Sequence, residues 1–354
     1  MNRDPRLGAG DPQAALQAIT GGIDLSATEA EALFSRVMEG GVPSTMIAAL
    51  LAALSTKGET PQEIAGAARV MRARAARVPT RRTALLDTCG TGGDFSGSFN
   101  VSTAAALVVA AAGIPVAKHG NRAASSRCGS ADVLEALGVA IELEPEHVGR
   151  SIDELGFGFL FAPRFHPAMR HAAEARRDLG IRTVFNLLGP LTNPAGARRQ
   201  LVGVPRTEAL LQVAGVLREL EIEAAAVVHG MEGLDEISVC GPTRIATVRA
   251  GEVGEFTIDP DDMGLATFAP DQIAGGDAVE NAAILRDVLE GRGSDAQRAV
   301  VVANAGAAIW IAGGAPALRA GVDRALAVIA SAAPARLLDD LIALTRRLAS
   351  IVPA

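Results

Sequence analysis

The stretch from Asp87 to Gly138 limits the possible folds more than any other part of the chain. It reads DTCGTGGDFSGSFNVSTAAALVVAAAGIPVAKHGNRAASSRCGSADVLEALG. Ala84 to Asp87 is a short apolar segment, read as a buried strand that runs into the glycine- and hydroxyl-rich loop Cys89–Asn100. Thr103 to Ala112 reads as a helix of small residues, Pro115 to Ala117 as a second strand, His119–Ser130 as a second loop and Ala131 to Leu137 as a second helix. Strand, glycine loop, helix, strand is the rhythm of a parallel α/β sheet. Loops of this composition expose backbone N–H groups and hydroxyls, which an anionic phosphate needs. The stretch is therefore read as the holder of a sugar phosphate.

Before it, residues 1–80 read as short helices. Asp11-Pro12 starts one, Ser26 with Glu29 and Thr60 with Glu63 form capping boxes, and Pro43-Ser44 starts another. Leu33, Phe34 and Val37 lie on one face, as do Ile47, Leu50, Leu51 and Leu54. Helices this short need partners, so a small helical domain is expected, with apolar faces left over for an oligomer surface. After the central stretch, Val139 to Ile141 and Phe159 to Phe161 read as strands and Pro145 to Leu155 as a helix. Pro167 to Leu179 reads as a helix and Phe185 to Leu191 as a turn. Strands follow at Leu201 to Val204 and Ala224 to His229, with a helix from Thr207 to Leu220 between them. From Val279 the chain is expected to be mostly helical.

Composition removes several classes of function. With 33 basic against 40 acidic residues the net charge is −7, so no basic surface is available for a nucleic-acid backbone. The absence of tyrosine and the single tryptophan argue against base-stacking platforms. No apolar run reaches membrane-spanning length; Val101 to Val116 is too short and broken by glycine. The first residues carry no apolar signal core. Cys89, Cys128 and Cys240 are too far apart for a metal pattern, and a reducing cytoplasm is the expected compartment. Lys57 and Lys118 are the only lysines among the 33 basic residues, so the lysine inside the key stretch hints that a compact ammonium is wanted there.

Each local motif admits a plain reading beside a chemical one. Cys89-Gly90-Thr91-Gly92-Gly93-Asp94 is a tight turn or a phosphate cradle; it is neither a dinucleotide fingerprint, since Phe95 stands in place of the third glycine, nor a Walker loop. Ser102 and Thr103 are helix caps or phosphate contacts at a positive dipole end, where Ser102 can also ligate Mg²⁺. Lys118 and Arg122 can oppose phosphate charge and Asn121 can orient a neutral polar group, or the loop is merely solvated. His119 is a base or a residue packed at a strand end. Asp235-Glu236 are surface charges or, on a turn, joint ligands of Mg²⁺.

Taken together and in order, GTGGD, NVST, KHGNRAASS, GSADVLEALG, RTVFNLLGPLTNP and HGMEGLDE closely resemble the anthranilate phosphoribosyltransferase family over nearly the whole chain. The resemblance implies a helical domain at 1–80, to which a segment at about 167–200 returns, hinged to a larger α/β domain at 81–354 with a mostly parallel sheet flanked by helices. It implies transfer of phosphoribose from 5-phosphoribosyl 1-diphosphate to the amine of anthranilate, in tryptophan biosynthesis, by a Mg²⁺-dependent homodimer joined through its helical domains. By the same resemblance Gly90 lies where both substrates meet. Gly93, Asp94, Ser98, Asn100, Val101, Ser102, Thr103, Lys118, His119, Gly120, Asn121, Arg122, Ala123, Ala124, Ser125, Ser126 and Ser130 hold the donor. Ser102, Asp235 and Glu236 bind Mg²⁺, expected as two ions, while Asn121 and Arg176 hold anthranilate. No catalytic nucleophile is expected; positioning and charge neutralisation suffice once diphosphate leaves.

Three residues depart from the family pattern. Phe95 stands where glycine is usual, at a cost of about 1–2 kcal/mol if the position needs positive φ. Ser98 replaces threonine and keeps the hydroxyl, and Cys128 replaces serine. The main alternative is a pyrimidine nucleoside phosphorylase-like enzyme, against which the loop Lys118–Ser126 and the Asp235-Glu236 pair argue. A nucleic-acid-binding relative is disfavoured by the acidic charge, and a purely structural oligomer would not need the loop chemistry.

Overall fold

The computed structural model describes residues 10–94, 96–123 and 126–351. Phe95, Ala124 and Ser125 lie outside the described residues, and so do the expectations attached to them. The chain opens with α1 (Pro12–Thr20), α2 (Ala27–Met38), α3 (Ser44–Lys57) and α4 (Pro61–Arg74). Their starts follow the caps read from sequence. Asp11 accepts from the Ala14 N–H, and Ser26/Glu29 and Thr60/Glu63 form reciprocal capping boxes. Glu63 is 1% exposed and fully used, accepting from the N–H groups of Leu25 and Thr60 and from Lys57 Nζ at 3.0 Å. A buried carboxylate survives only with such partners.

The remaining elements are β1 (Leu86–Gly90), α5 (Val101–Ala111), β2 (Val116–Gly120), α6 (Ser130–Ala136), α7 (Pro145–Leu155), β3 (Phe157–Phe161), the single-turn α8 (Ala162–Phe165), α9 (Arg170–Leu179), α10 (Val184–Leu191), β4 (Arg199–Gly203), α11 (Thr207–Glu219), β5 (Ala224–Gly230), β6 (Thr243–Arg249), β7 (Glu252–Ile258), α12 (Ala278–Leu289), α13 (Asp295–Ile311), α14 (Leu318–Ala330) and α15 (Ala333–Ala349). The sheet order is β3-β2-β1-β4-β5-β6-β7; the first five strands are parallel, and β6 pairs antiparallel with both β5 and β7. A helical N-terminal part followed by a mostly parallel sheet flanked by helices is the fold class expected from the sequence.

Alternation along the strands sends side chains into two cores. Ala224, Ala226 and Val228 of β5 face a core closed by α5, α12, α13 and α14, whereas Ala225 and Val227 face a core shared with α11 and the N-terminal helices. α9 and α10 join this second core through Ala172, Ala175, Phe185 and Leu188, and Phe185 meets Phe34 edge-on with ring centroids 5.9 Å apart. From Thr103 to Ala110 α5 is buried all round, as its run of alanine, leucine and valine requires. Among the described residues no helix is long and apolar enough to cross a membrane.

Three local expectations need correction. β1 and β2 start later and run further than their apolar letters suggest, through Cys89-Gly90 and Lys118–Gly120, because β4 and β3 offer ladder partners there. Val139 to Ile141 is no strand: its apolar side chains are buried, but the Ala140 N–H donates to Thr345 Oγ1 of α15 instead of a ladder. Phe185 to Leu191 is helix α10, not a turn. The Thr183 N–H donates to Asn186 Oδ1 at its start. At its end, where Pro190 and the helix terminus leave carbonyls open, side chains cap them: Gln200 Nε2 donates to Pro190 O, Arg72 Nε donates to Leu191 O, and His119 Nδ1 lies 3.0 Å from Gly189 O.

Candidate active site

Strand order reverses between β1 and β4, and in parallel α/β sheets the crevice for a ligand opens at such a point, beyond the carboxyl ends of the strands. Here it is a cavity of about 560 Å³. Its walls come from the ends of β1 and β2, the start of α5, the loop before α6, and Asp235-Glu236 beyond β5. Two glycines make room for that convergence. A Cβ on Gly90 would stand 2.2 Å from Asp235 Oδ2, and one on Gly203 would stand 1.6 Å from the Asp235 carbonyl oxygen.

The polar contacts knit the two glycine loops to the acidic pair. The Gly92 N–H donates to Asp235 Oδ2 at 3.1 Å and the Ser102 N–H to Glu236 Oε1 at 3.1 Å. The second is the first turn of α5, where a negative group is favoured by the helix dipole. Asn100 precedes the helix, but its side chain donates to Cys128 O, tying the first loop to the second. Lys118 is 1% exposed; its Nζ donates to Thr88 O and to Ser102 Oγ at 3.2 Å.

Charge is out of balance here. Burial, and then the neighbouring Asp94, raise the Asp235 carboxyl to about 7. Burial and then Asp235 push Glu236 well above the carboxylate range, with Lys118 opposing. Burial also draws Lys118 below its usual value, opposed by Asp87, Cys89 and Glu236. Two carboxylates and their neighbour Asp94 share one ammonium, an arrangement that favours an added cation. His119 is kept neutral by burial, and its Nε2 has no hydrogen-bond partner.

The cavity is lined by Gly90, Gly93, Asp94, Ser98, Asn100, Val101, Ser102, Lys118, His119, Gly120, Asn121, Arg122, Ala123, Ser126, Ser130, Asp235 and Glu236. Thr103 and Arg176 are not part of its lining. Thr103 is fully buried on the core side of α5. Arg176, half-buried on α9, stacks over Phe185 with its guanidinium carbon 5.2 Å from the ring centroid. Arg122 lines the cavity, yet its guanidinium is bonded to Asp132 at 3.2 Å and to Glu135 at 2.7 Å. Among the described residues no three His, Cys, Asp or Glu side chains form a metal cage on their own.

Sequence reasoning gave no function to three residues of this wall: Arg182, Asn186 and Asn281. Arg182 donates to Gly92 O at 3.0 Å and to Thr91 O at 3.4 Å, so the turn before α10 holds the first glycine loop. Asn281, 2% exposed on α12, donates to Asn100 Oδ1 at 3.0 Å. Arg182 stands within a motif already singled out; Asn281 has no local signal, because only the fold brings α12 to the loop.

A crevice at the reversal of a parallel sheet joined to a helical bundle is the architecture here, and the matching family descriptions place it in a class of transferases. Residues 13–75 match the helical bundle domain and residues 82–334 the a/b domain of the glycosyl transferase family. An anthranilate phosphoribosyltransferase of Rubrobacter xylanophilus is 55% identical over 335 residues, 95% of this chain and 98% of its own. The crystal structure of the Thermus thermophilus enzyme of that name superposes with a TM-score of 0.88 at 47% identity, covering 94% of this chain and 99% of the other. That of Saccharomyces cerevisiae, in complex with PRPP and Mg, superposes at 0.80 with 28% identity, covering 97% and 94%. The chain belongs to the anthranilate phosphoribosyltransferase family.

Proposed function

We propose that the protein transfers the phosphoribosyl group of 5-phosphoribosyl 1-diphosphate to the amine of anthranilate, releasing diphosphate. One observation carries the reading: the half-buried Asp235-Glu236 pair accepts from the Gly92 and Ser102 N–H groups, and Lys118 donates to Ser102 Oγ, in one cavity lined by both glycine loops. The family membership and the yeast relative's bound PRPP and Mg support it.

The donor set fits Mg²⁺. Asp235, Glu236 and Ser102 offer hard oxygen ligands, and the two carboxyls, raised by burial and by each other, would be drawn to their ionised form by a bound cation. Mg²⁺ commonly takes one or two carboxylates together with water and substrate phosphates, so Asp235 and Glu236 would be enough to hold it beside the donor. When bound, Mg²⁺ neutralises the diphosphate leaving group. The chain's own residues do the rest. N–H groups of the glycine loops hold phosphate oxygens, the start of α5 being taken by Glu236 and by the preceding loop, and the Lys118 ammonium adds positive charge beneath them. The bond from the ribose carbon to diphosphate breaks while the amine lone pair forms the new carbon–nitrogen bond, and the amine then loses its proton. No side-chain nucleophile takes part. Arg176 of α9, which stacks over Phe185 outside the cavity lining, is assigned to the anthranilate carboxylate on the family resemblance alone.

The same reading divides the chain into a helical domain at 1–80 with the segment at about 167–200, and an α/β domain at 81–354. It makes the enzyme a cytoplasmic homodimer joined through the helical faces and carrying two Mg²⁺ ions. The test is direct: anthranilate fluorescence should fall when protein, 5-phosphoribosyl 1-diphosphate and Mg²⁺ are present together, and only then. Turnover of thymidine with phosphate in its place would sink the reading.

A further inference from the structure

Asn304 sits in the middle of α13, a helix otherwise built there of alanine, valine, glycine and isoleucine, and it is wholly buried. A buried amide in an apolar helix is costly unless it is bonded. This one is bonded to a single residue of another element. Its Oδ1 accepts from the Ile237 N–H at 2.9 Å, and its Nδ2 donates to Ile237 O at 2.9 Å, with a further bond to Val300 O at 2.9 Å. Both backbone groups of the residue directly after Glu236 are therefore fixed by one side chain. On the other side of the pair, the Asp235 carbonyl lies against Gly203, where no Cβ fits. The Ser238 N–H is held in turn by Thr243 Oγ1 at 2.9 Å.

We propose that Asn304 is a positioning residue for the acidic pair. By clamping the Ile237 peptide from behind, it aims Glu236 at the start of α5 and Asp235 at the first glycine loop, and so sets the affinity for the divalent cation. This rests on the reading of Asp235-Glu236 as cation ligands. An outer residue that orients ligands typically changes metal affinity by about 10- to 100-fold when it is replaced. An amide clamped to a peptide has no other duty in this wall: Asn304 does not line the cavity.

The test uses Asn304→Asp, which keeps the acceptor oxygen, and Asn304→Leu, which removes both bonds. Mn²⁺ binding in the presence of diphosphate is followed by electron paramagnetic resonance, and half-saturating Mg²⁺ by turnover. Folding is checked by circular dichroism. In a folded variant, Mn²⁺ affinity should fall about 10-fold or more, with the KM for anthranilate unchanged. Unchanged Mn²⁺ affinity in a folded variant overturns the proposal. Wild-type protein supplies a measurement that does not depend on either variant folding. The Ile237 amide should exchange with solvent as slowly as core strand amides, and exchange at the rate of an open loop would also overturn it. Glu236→Gln separates the two claims: if it leaves Mn²⁺ affinity intact, the ligand reading has failed, whatever Asn304 does.

Discussion

Gly203→Ala tests how closely the acidic pair is fitted to the sheet. Gly203 ends β4 between Gly90 of β1 and Val228 of β5 and has no positive φ, so alanine suits its backbone. The difficulty is spatial. The new Cβ would stand 1.6 Å from the Asp235 carbonyl oxygen and 2.5 Å from its carbon, where ordinary contact begins at 3.4 Å. The obstacle is backbone, so Asp235 must retreat by about 2 Å. Overpacking of this kind costs about 1–3 kcal/mol, which a domain of this size survives. Misplacement by about 1 Å in an active site can cost about 100-fold in rate. The expected result is a folded enzyme whose kcat/KM for 5-phosphoribosyl 1-diphosphate falls by about that factor or more, with a raised Mg²⁺ requirement. Loss of anthranilate fluorescence across a Mg²⁺ series measures both. A folded alanine variant with wild-type kcat/KM and wild-type Mg²⁺ dependence would refute the claim that Gly203 places Asp235.

Arg176→Ala should weaken anthranilate far more than the donor, because only anthranilate offers it a carboxylate; equal changes in the two KM values would remove it from that position. Arg182→Ala frees the carbonyls of Thr91 and Gly92 and should raise the KM for the donor while speeding amide exchange in the first glycine loop; unaltered exchange would show that the guanidinium does not hold the loop. His166 is pulled from 6.5 to about 3, first by burial and then by His119. The unfolded chain therefore takes up a proton below 6.5 that the folded chain refuses until about 3, so stability is lost as the pH falls through this window. At pH 5 the loss is about 2 kcal/mol, and His166→Asn should flatten the slope of urea-unfolding stability between pH 6.5 and 5.

Much of this was legible in the residues, and for a definable reason. Capping boxes such as Ser26/Glu29 are local, and the structure shows them as read. The strand–loop–helix rhythm around Gly90 and Lys118 is also local, and it placed both loops at one crevice. The errors came where a distant partner decides. Whether Cys89 and Gly90 are loop or ladder depends on β4, more than 100 residues away. Gly189-Pro190 signals a turn, yet His119, Gln200 and Arg72 cap the helix end from three other elements. In the site itself, residues that bring their own charge or flexibility stood out, among them Lys118 and the Asp235-Glu236 pair. Arg182, Asn281 and Asn304 act by reaching another element's backbone or amide, and sequence spacing carries no trace of that.

The central claim is that the stretch from Asp87 to Gly138 holds the donor and that Asp235-Glu236 close on its diphosphate through a divalent cation. Calorimetric titration of 5-phosphoribosyl 1-diphosphate into the protein, with and without Mg²⁺, tests it without relying on turnover. The wild type should bind far more tightly with Mg²⁺, and Asp235→Asn with Glu236→Gln should abolish that difference while the protein stays folded. A double variant that retains the full Mg²⁺ enhancement would contradict the account.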